Sequence, residues 1–418
     1  MKYVRQGSRT VRLSAVRSKK ALPQTILIRV TGQDRPGITT ELLTLLSSLD
    51  AELQDIEQVV VRRQLTLGLA VSVPTGKDLA KEVLLFGWER DLDIDFEVID
   101  STPTQHVKRH VVTALASELS PSSLARTSGA ITSSGANIDR IHRLSRFPVW
   151  SYEFLVEGAD PEKLRASLMD VAAQEGIDIA VQPHGLSRRS SRLVVLDVDS
   201  TLIRNEVIDL LADEAGHGEE ISRLTEQAMR GEIDYSEALK QRVQLLAGAG
   251  VEIINRSKSR MVLTAGARTF IRTLKRLGYR VAIISGGFTH FTDELAKELG
   301  IDHSYANKLE VVDGVLTGRI EGDIIDPEAK ATLLENIALN EGISLEQTVA
   351  IGDGANDLPM LQKAGLGIAF NAKPVLAGAA DTSLNVPYLD AILFMLGVSR
   401  EEVEAADASD LEAQRRIA

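Results

Sequence analysis

Three short apolar runs in the second half of the chain each give way to a polar turn carrying reactive groups. LVVL leads into DVDST with Asp197 and Asp199, VAII leads into SGG with Ser285 and Gly286, and VAI leads into GDGAND with Asp353 and Asp357. Lys330 falls between the second and third. If the runs are parallel strands, these turns lie beyond their carboxyl ends, where open α/β sheets bind ligands. Acids gathered at one edge repel each other and call for a cation. A hard, oxygen-seeking ion such as Mg²⁺ suits them, because it binds through one or two carboxylates together with substrate phosphate and water. Phosphoryl transfer needs a nucleophile, charge neutralisation and a proton for the leaving group. The chain has no cysteine; a carboxylate can serve as the nucleophile and form an acyl phosphate. Asp197 is the candidate. Asp199 would protonate the departing oxygen and then activate water. Lys330 would neutralise phosphate and nucleophile together, and Thr201, Ser285 and the Gly286 amide would donate to phosphate oxygens.

Each motif also has a plainer reading. Asp-Ser-Thr after a strand often makes a turn or a helix cap, Ser-Gly-Gly is a common turn, and a lone lysine is usually a solvated surface group. GDGAND has the composition of a calcium loop but lacks its D-x-D-x-D-G-x₅-E spacing. The chemical reading rests on the set: all the motifs, in this order, each tied to a strand end.

The elements that must position these groups follow from periodicity. RLVVLDVD, YRVAIISGG, QTVAIGDGAND and LGIAF read as short buried strands separated by helical stretches, which indicates a parallel sheet with helices on both faces. From Glu206 to Met261 the pattern is helical without a strand, as in an inserted cap. Upstream, TILIRV, Ala51–Val61, Leu65–Val73 and Ile94–Ile99 read as strands, with helices in ITTELLTLLSSL and from Leu79, in the order βαββαβ. The pattern recurs from His110 (HVVTALA, LARTSGAITSSG, ANIDRIHRL, WSYEFLVEG, PEKLRASLMDVAAQEG, IDIAVQP), so two tandem copies are expected. The expected fold is α/β: a Rossmann-like doubly wound parallel sheet with an inserted helical cap, preceded by two ferredoxin-like βαββαβ units. The expected boundaries are an arm at 1–23, repeats at 24–103 and 104–184, the sheet domain at 190–400 with its cap at about 206–262, and a tail at 401–418.

The whole-chain numbers narrow the partners. With 44% hydrophobic and 25% charged residues among 418, the chain can build several cores. A net charge of −12 argues against nucleic acid as a partner. No apolar run approaches the roughly 18 residues that span a bilayer, so no membrane partner is expected. The first residues carry Lys2, Arg5, Arg9, Arg12, Arg17, Lys19 and Lys20 and no acid. They read as a disordered, solvated arm, with a transit peptide as the other reading. The expected location is cytoplasmic.

DVDST, ISGG, Lys330 and GDGAND resemble the four motifs of the haloacid-dehalogenase-like superfamily. DVDSTLIRNEVIDLLADEAG, from Asp197 to Gly216, resembles most closely its phosphoserine phosphatases. The resemblance covers about residues 190–400. It implies Asp197 as nucleophile, Asp199 as general acid and base, and Mg²⁺ held by the Asp197 side chain, the Asp199 carbonyl and Asp353, with Asp357 in support. It implies phosphate held by Ser285, Gly286, Lys330 and Asn356. In the cap it implies Glu206 against the substrate ammonium, Arg242 against its carboxylate, and Met229 and Tyr235 lining the pocket. Tyr235 stands where that family often has phenylalanine. The repeats resemble ACT domains, which often bind amino acids at dimer interfaces. The implied regulatory residues are Asp34, Pro36 and Gly37 of GQDRPGI, the implied ligand is serine, and the implied assembly is a homodimer through these domains. The second copy has LSPSSL at the corresponding place, without the glycine.

The resemblance implies hydrolysis of phosphoserine to serine, the last step of serine biosynthesis. Two alternatives remain at this point: a phosphatase for another small phosphomonoester or a phosphoprotein, and an amino-acid sensor with an inactive phosphatase half. Glu206 and Arg242 speak against the first, and the intact acids, Lys330 and Asn356 against the second.

Overall fold

A computed structural model describes residues 25–72, 78–99, 108–185, 188, 190, 192–229, 232–372 and 374–417. The basic arm at 1–23 lies outside them. The chain forms two compact units, Met1–His106 and Val107–Ala418.

In the first unit, strands β1 (Thr25–Gln33), β2 (Glu52–Val61), β3 (Gln64–Ser72) and β4 (Asp93–Ile99) form an antiparallel sheet in the order β2-β3-β1-β4. Helices Ile38–Ser48 and Leu79–Arg90 supply Ile38, Leu42, Leu46, Val83 and Phe86 to a core shared with Ile28, Val30, Leu67 and Leu69 of the sheet. Alternation along each strand selects the buried face. The hairpin between β2 and β3 turns through Arg62 and Arg63, both at positive φ. That is the geometry a two-residue hairpin demands, here without the usual Asn-Gly signal.

The second unit begins with the same design. Strands β5 (Arg109–Ala116), β6 (Asn137–Ser145), β7 (Trp150–Glu157) and β8 (Asp178–Pro183) pair in the order β6-β7-β5-β8, with helices Pro121–Ser133 and Pro161–Glu175 between them. The equivalence of the two orders bears out the tandem repeat.

The large sheet of this unit has seven strands. They are β9 (Leu193–Leu196), β10 (Arg280–Phe288), β11 (His303–Val312), β12 (Val315–Glu321), β13 (Thr348–Gly352), β14 (Leu366–Phe370) and β15 (Thr382–Leu384). The order is β12-β11-β10-β9-β13-β14-β15, and every pair except β11·β12 is parallel. The continuous apolar runs follow from burial on both faces. Along β9, Val194 and Leu196 pack on one side with Phe270 and Leu274, while Leu193 and Val195 pack on the other with Leu334 and Ile337. Helices Val207–Ala215, Gly218–Met229, Tyr235–Gln244 and Glu252–Ser259 form the expected cap.

Several elements were not legible beforehand. β11 and β12 lack a continuous apolar run because they extend the sheet edge and are only partly buried, and β15 has three residues. The β11–β12 hairpin braces the cap: Gly248 N–H donates to Leu316 O at 2.9 Å, Leu316 N–H to Ala249 O at 2.8 Å, and Val251 N–H to Gly314 O at 3.0 Å. The expected tail at 401–418 falls in a helix, Arg400–Ile417. It docks through Asp407, which accepts from both Arg272 and Arg276 at 2.6 Å.

The second repeat packs into the large-sheet unit instead of standing apart. Leu115, Leu144, Val149 and Ala180 belong to that unit's main core. Asp178 accepts from the Asn385 backbone N–H at 2.9 Å and from its Nδ2 at 2.7 Å. Gln182 Nε2 donates to Met395 O at 3.0 Å, and Arg188 spans Glu153 at 2.7 Å and Met395 O at 3.2 Å. Replacing Asp178 by Ala removes the buried acceptor of both Asn385 donors at a part-buried seam. We expect unfolding free energy to fall by about 1–3 kcal/mol, read as a lower denaturant midpoint at unchanged slope. An unchanged midpoint would show that the seam does not hold the repeat in place.

Candidate active site

The carboxyl ends of β9, β10 and β13 bring the motifs together. The backbone N–H of Asp197 donates to Ile351 O at 2.9 Å, which fixes the first strand end against the third. The chain then turns tightly through Val198–Leu202, with Ser200 at φ 57°. A non-glycine residue in that left-handed region is uncommon and is often found where function constrains the backbone. Here the turn sends Asp199 and Ser200 in different directions. The Asp199 carboxylate accepts from Val207 N–H at 2.7 Å and from Ser285 Oγ at 3.0 Å. Ser200 Oγ donates to Glu206 Oε1 at 2.7 Å.

Lys330 is fully buried. Asp326 caps its helix by accepting from Ala329 N–H at 2.8 Å, and Pro327 opens the first turn, so the helix start is set just ahead of the lysine. The ammonium donates to Asp197 Oδ1 and to Asp357 Oδ1, both at 2.7 Å. Burial pulls this ammonium toward neutrality, but Asp197 and Asp357 outweigh it and keep its pKa above the ordinary value.

The acids still exceed the cation. Carboxylate oxygens of Asp197, Asp353 and Asp357 lie within 4.8 Å of one another. Burial and the neighbouring Asp357 push Asp197 well above the usual carboxylate range, and the same two causes push Asp353 up to about 7. Hard oxygen donors, buried together and incompletely neutralised, fit a divalent cation. The Asp199 side chain is engaged by Val207 N–H and Ser285 Oγ and is not part of this cluster. Thr201 Oγ1 donates to Asp353 Oδ1 at 3.3 Å, which ties the first turn to the third, and Thr264 Oγ1 donates to Thr201 O at 2.7 Å from the segment after the cap.

Ser285 is buried and Gly286 half-buried beside it. The Tyr235 hydroxyl covers Gly286 so closely that a Cβ there would lie 2.0 Å from it. Any residue but glycine would therefore displace the cap residue. Burial raises the Tyr235 phenol to about 12, so it remains a donor. Arg242 lies seven residues further along the same helix, hence on the same face. Its contacts are long, 3.3 Å to Ala238 O and 3.4 Å to Thr225 Oγ1. Asn356 folds back over Gly354. Met229 ends its helix, and its side chain lies outside the described residues.

Two contributors escaped the sequence reading. Ser200 sat inside a quoted motif, but its role depends on a left-handed turn that side-chain type does not announce. Asn307 donates to Gly286 O at 2.8 Å from β11, a strand that was not expected.

In the first unit, Asp34, Pro36 and Gly37 are exposed. Gly37, at φ 100°, precedes the helix without any side-chain cap. In the second repeat Ser120 caps its own helix, accepting from Ser123 N–H at 3.1 Å. The first copy gives its helix no side-chain cap, and the second caps one amide with its own serine.

Residues 194–362 match the haloacid dehalogenase-like hydrolase family, and residues 24–98 and 108–182 each match an ACT domain family. The chain is 49% identical to a phosphoserine phosphatase of Streptomyces coelicolor, over 93% of this chain and 96% of that one. It is 44% identical to the phosphoserine phosphatase SerB2 of Mycobacterium tuberculosis, over 93% and 97% of the two chains. A crystal structure of a probable phosphoserine phosphatase from Vibrio cholerae superposes with a TM-score of 0.56 at 30% identity, covering 72% of this chain and 89% of that one. With strand ends, cap and repeats in the arrangement described and relatives matched nearly end to end, the chain belongs to the phosphoserine phosphatase family, as a haloacid dehalogenase-like hydrolase preceded by two ACT domains.

Proposed function

We propose that this chain hydrolyses O-phospho-L-serine to L-serine and phosphate through an aspartyl phosphate on Asp197. The observation that carries the reading is the pairing of the buried Lys330 ammonium with Asp197 and Asp357, with Asp199 held beside them by Ser285. An Asp197 oxygen attacks phosphorus. A phosphorus–oxygen bond to Asp197 forms as the bond to the seryl oxygen breaks, and that oxygen takes its proton from Asp199. Burial raises the Asp199 carboxyl, which favours the protonated form this step needs. In the second half, Asp199 accepts a proton from water as the water attacks phosphorus and Asp197 leaves. Asp197, the Asp199 carbonyl and Asp353, with Asp357 in support, would hold Mg²⁺, which would supply charge neutralisation for phosphate and carboxylates. Ser285, the Gly286 amide, Thr201, Asn356 and Lys330 hold the phosphate. Glu206 reads the substrate ammonium and Arg242 its carboxylate, a fixed anion and a planar cationic fork suited to a zwitterion. Tyr235 and Met229 line the pocket.

Replacing Asp197 by Asn removes the nucleophile while preserving shape. We expect phosphate release from phosphoserine to fall by about three orders of magnitude or more, with circular dichroism unchanged. Turnover near the original rate would refute the aspartyl-phosphate route.

Arg242→Ala separates substrate choice from chemistry. Losing a charge-assisted contact to a buried carboxylate costs about 2–5 kcal/mol, so kcat/KM for phosphoserine falls at least roughly 30-fold, and that for an aryl phosphate far less. Equal losses would mean that Arg242 does not read the carboxylate.

The ACT domains make serine the economical regulatory ligand, its carboxylate meeting the uncapped amides beyond Asp34-Arg35-Pro36-Gly37. A homodimer through these domains belongs to the same reading. β2 is exposed along its length and carries Leu53, Ile56, Val59, Val60 and Val61 on its surface. So does a cytoplasmic location, and no helix among the described residues is long and apolar enough to cross a membrane. The second repeat is built into the hydrolase unit, so the informative comparison is a chain beginning at Val107 against the full chain. Over a serine titration we expect the full chain to show inhibition beyond product competition, with a coupling of about 1–3 kcal/mol, and the shorter chain to show competition alone. Identical competitive inhibition in both would exclude serine sensing by the first ACT domain.

A further inference from the structure

Asn307 lies at the end of the parallel pairing between β10 and β11, where it faces Phe288. It is 1% exposed, and both ends of its amide are used. Nδ2 donates to the Gly286 carbonyl at 2.8 Å, and Oδ1 accepts from Ile325 N–H at 2.9 Å. The two partners fix which end is oxygen and which nitrogen, since a backbone N–H must meet an acceptor and a carbonyl a donor.

The Gly286 carbonyl and the Gly287 N–H belong to one planar peptide and point to opposite sides of it. Holding the carbonyl therefore aims the N–H. Gly287 N–H donates to Ser285 Oγ at 2.7 Å, and that hydroxyl donates its own proton to Asp199 Oδ2 at 3.0 Å. The other Asp199 oxygen is held by Val207 N–H at 2.7 Å. The packing leaves little slack, for a Cβ on Gly287 would lie 2.7 Å from Asp199 Oδ2. A rotated peptide would take its donor away from Ser285 Oγ, and nothing would then keep the serine proton on Asp199.

We propose that Asn307 is a positioning residue for the proton-transfer group. It locks the Gly286–Gly287 peptide and, through Ser285, holds the Asp199 carboxyl in the orientation that protonates the leaving oxygen. Its second bond ties this strand end to Ile325, two residues ahead of the helix that carries Lys330. The inference rests on Asp199 being the general acid.

The test uses leaving-group basicity. A seryl alkoxide is a poor leaving group without a proton, whereas p-nitrophenolate departs readily without one. Since kcat/KM covers the steps through departure of the leaving group, a defect in protonation lowers it for phosphoserine more than for p-nitrophenyl phosphate. A merely structural defect lowers the folded fraction and depresses both equally. In the full-length enzyme with Mg²⁺ we expect Asn307→Ala to lower kcat/KM for phosphoserine at least about tenfold more than for p-nitrophenyl phosphate, a portion of the 10²–10⁴ that general acids contribute. We expect this differential to vanish when the substitution is made in Asp199→Asn. Asn307→Asp keeps an acceptor for Ile325 N–H and removes the amide donor to Gly286, and it reads the same quantity should the alanine variant fold poorly. Equal losses for both substrates in these variants, or a differential that persists unchanged in Asp199→Asn, would overturn the positioning role. Asp199→Asn alone distinguishes the levels. If it does not discriminate between the substrates, the general-acid reading fails and the inference with it. If it discriminates and the Asn307 variants do not, only the inference fails.

Discussion

The buried ammonium of Lys330, shared between Asp197 and Asp357, is the interaction on which the rest of the active site depends. Burying an ammonium without partners costs several kcal/mol, and so does burying a carboxylate. Placing the three together lets each offset the desolvation of the others. The pairing fixes three separate chain segments at one point: the end of β9, the turn after β13, and the first turn of the helix capped by Asp326. It also leaves the acids in excess, a charge that a divalent cation would offset.

Around this fixed centre the cap and the hairpin divide the labour. Backbone bonds from Gly248, Ala249 and Val251 fasten one end of the cap to the β11–β12 hairpin. At the start of the helix Tyr235–Gln244, the Tyr235 hydroxyl lies over Gly286 at the end of β10. Arg242, on the same helix, has long contacts, 3.3 Å to Ala238 O and 3.4 Å to Thr225 Oγ1.

The two ACT domains share a topology and differ in how they are used. The second contributes Leu115, Leu144, Val149 and Ala180 to the core of the hydrolase unit and closes its helix N-terminus with Ser120. The first has its own core and leaves the amides after Gly37 uncapped. One copy has become part of the scaffold, while the other begins its first helix at Gly37 without a side-chain cap. The missing glycine in LSPSSL marked the different helix start, but the fusion of the second copy to the hydrolase could not be read from the repeat pattern, because both copies carry the same alternation.

What the sequence by itself determined is whatever local periodicity and residue chemistry encode. LVVL, VAII and VAI are apolar throughout because their strands are buried on both faces, and this alone placed Asp197, Ser285 and Asp353 at strand ends. The alternation in TILIRV and LTLGLAVSV disclosed the ferredoxin-like repeats, and the absence of cysteine directed attention to a carboxylate nucleophile. What only the tertiary structure decided depends on contacts between residues far apart in the chain. The left-handed turn at Ser200 that delivers a hydroxyl to Glu206 is fixed by its surroundings and not by serine's preferences. β11 and β12 are only partly buried and β15 has just three residues, so their sequences carry little pattern, and with β11 went any sight of Asn307. The fusion of the second ACT domain to the hydrolase rests on Asp178 meeting Asn385, a pairing across the chain that no local window contains. Local sequence sets which face of an element is apolar, and the packing of those faces then decides which polar groups are left to meet.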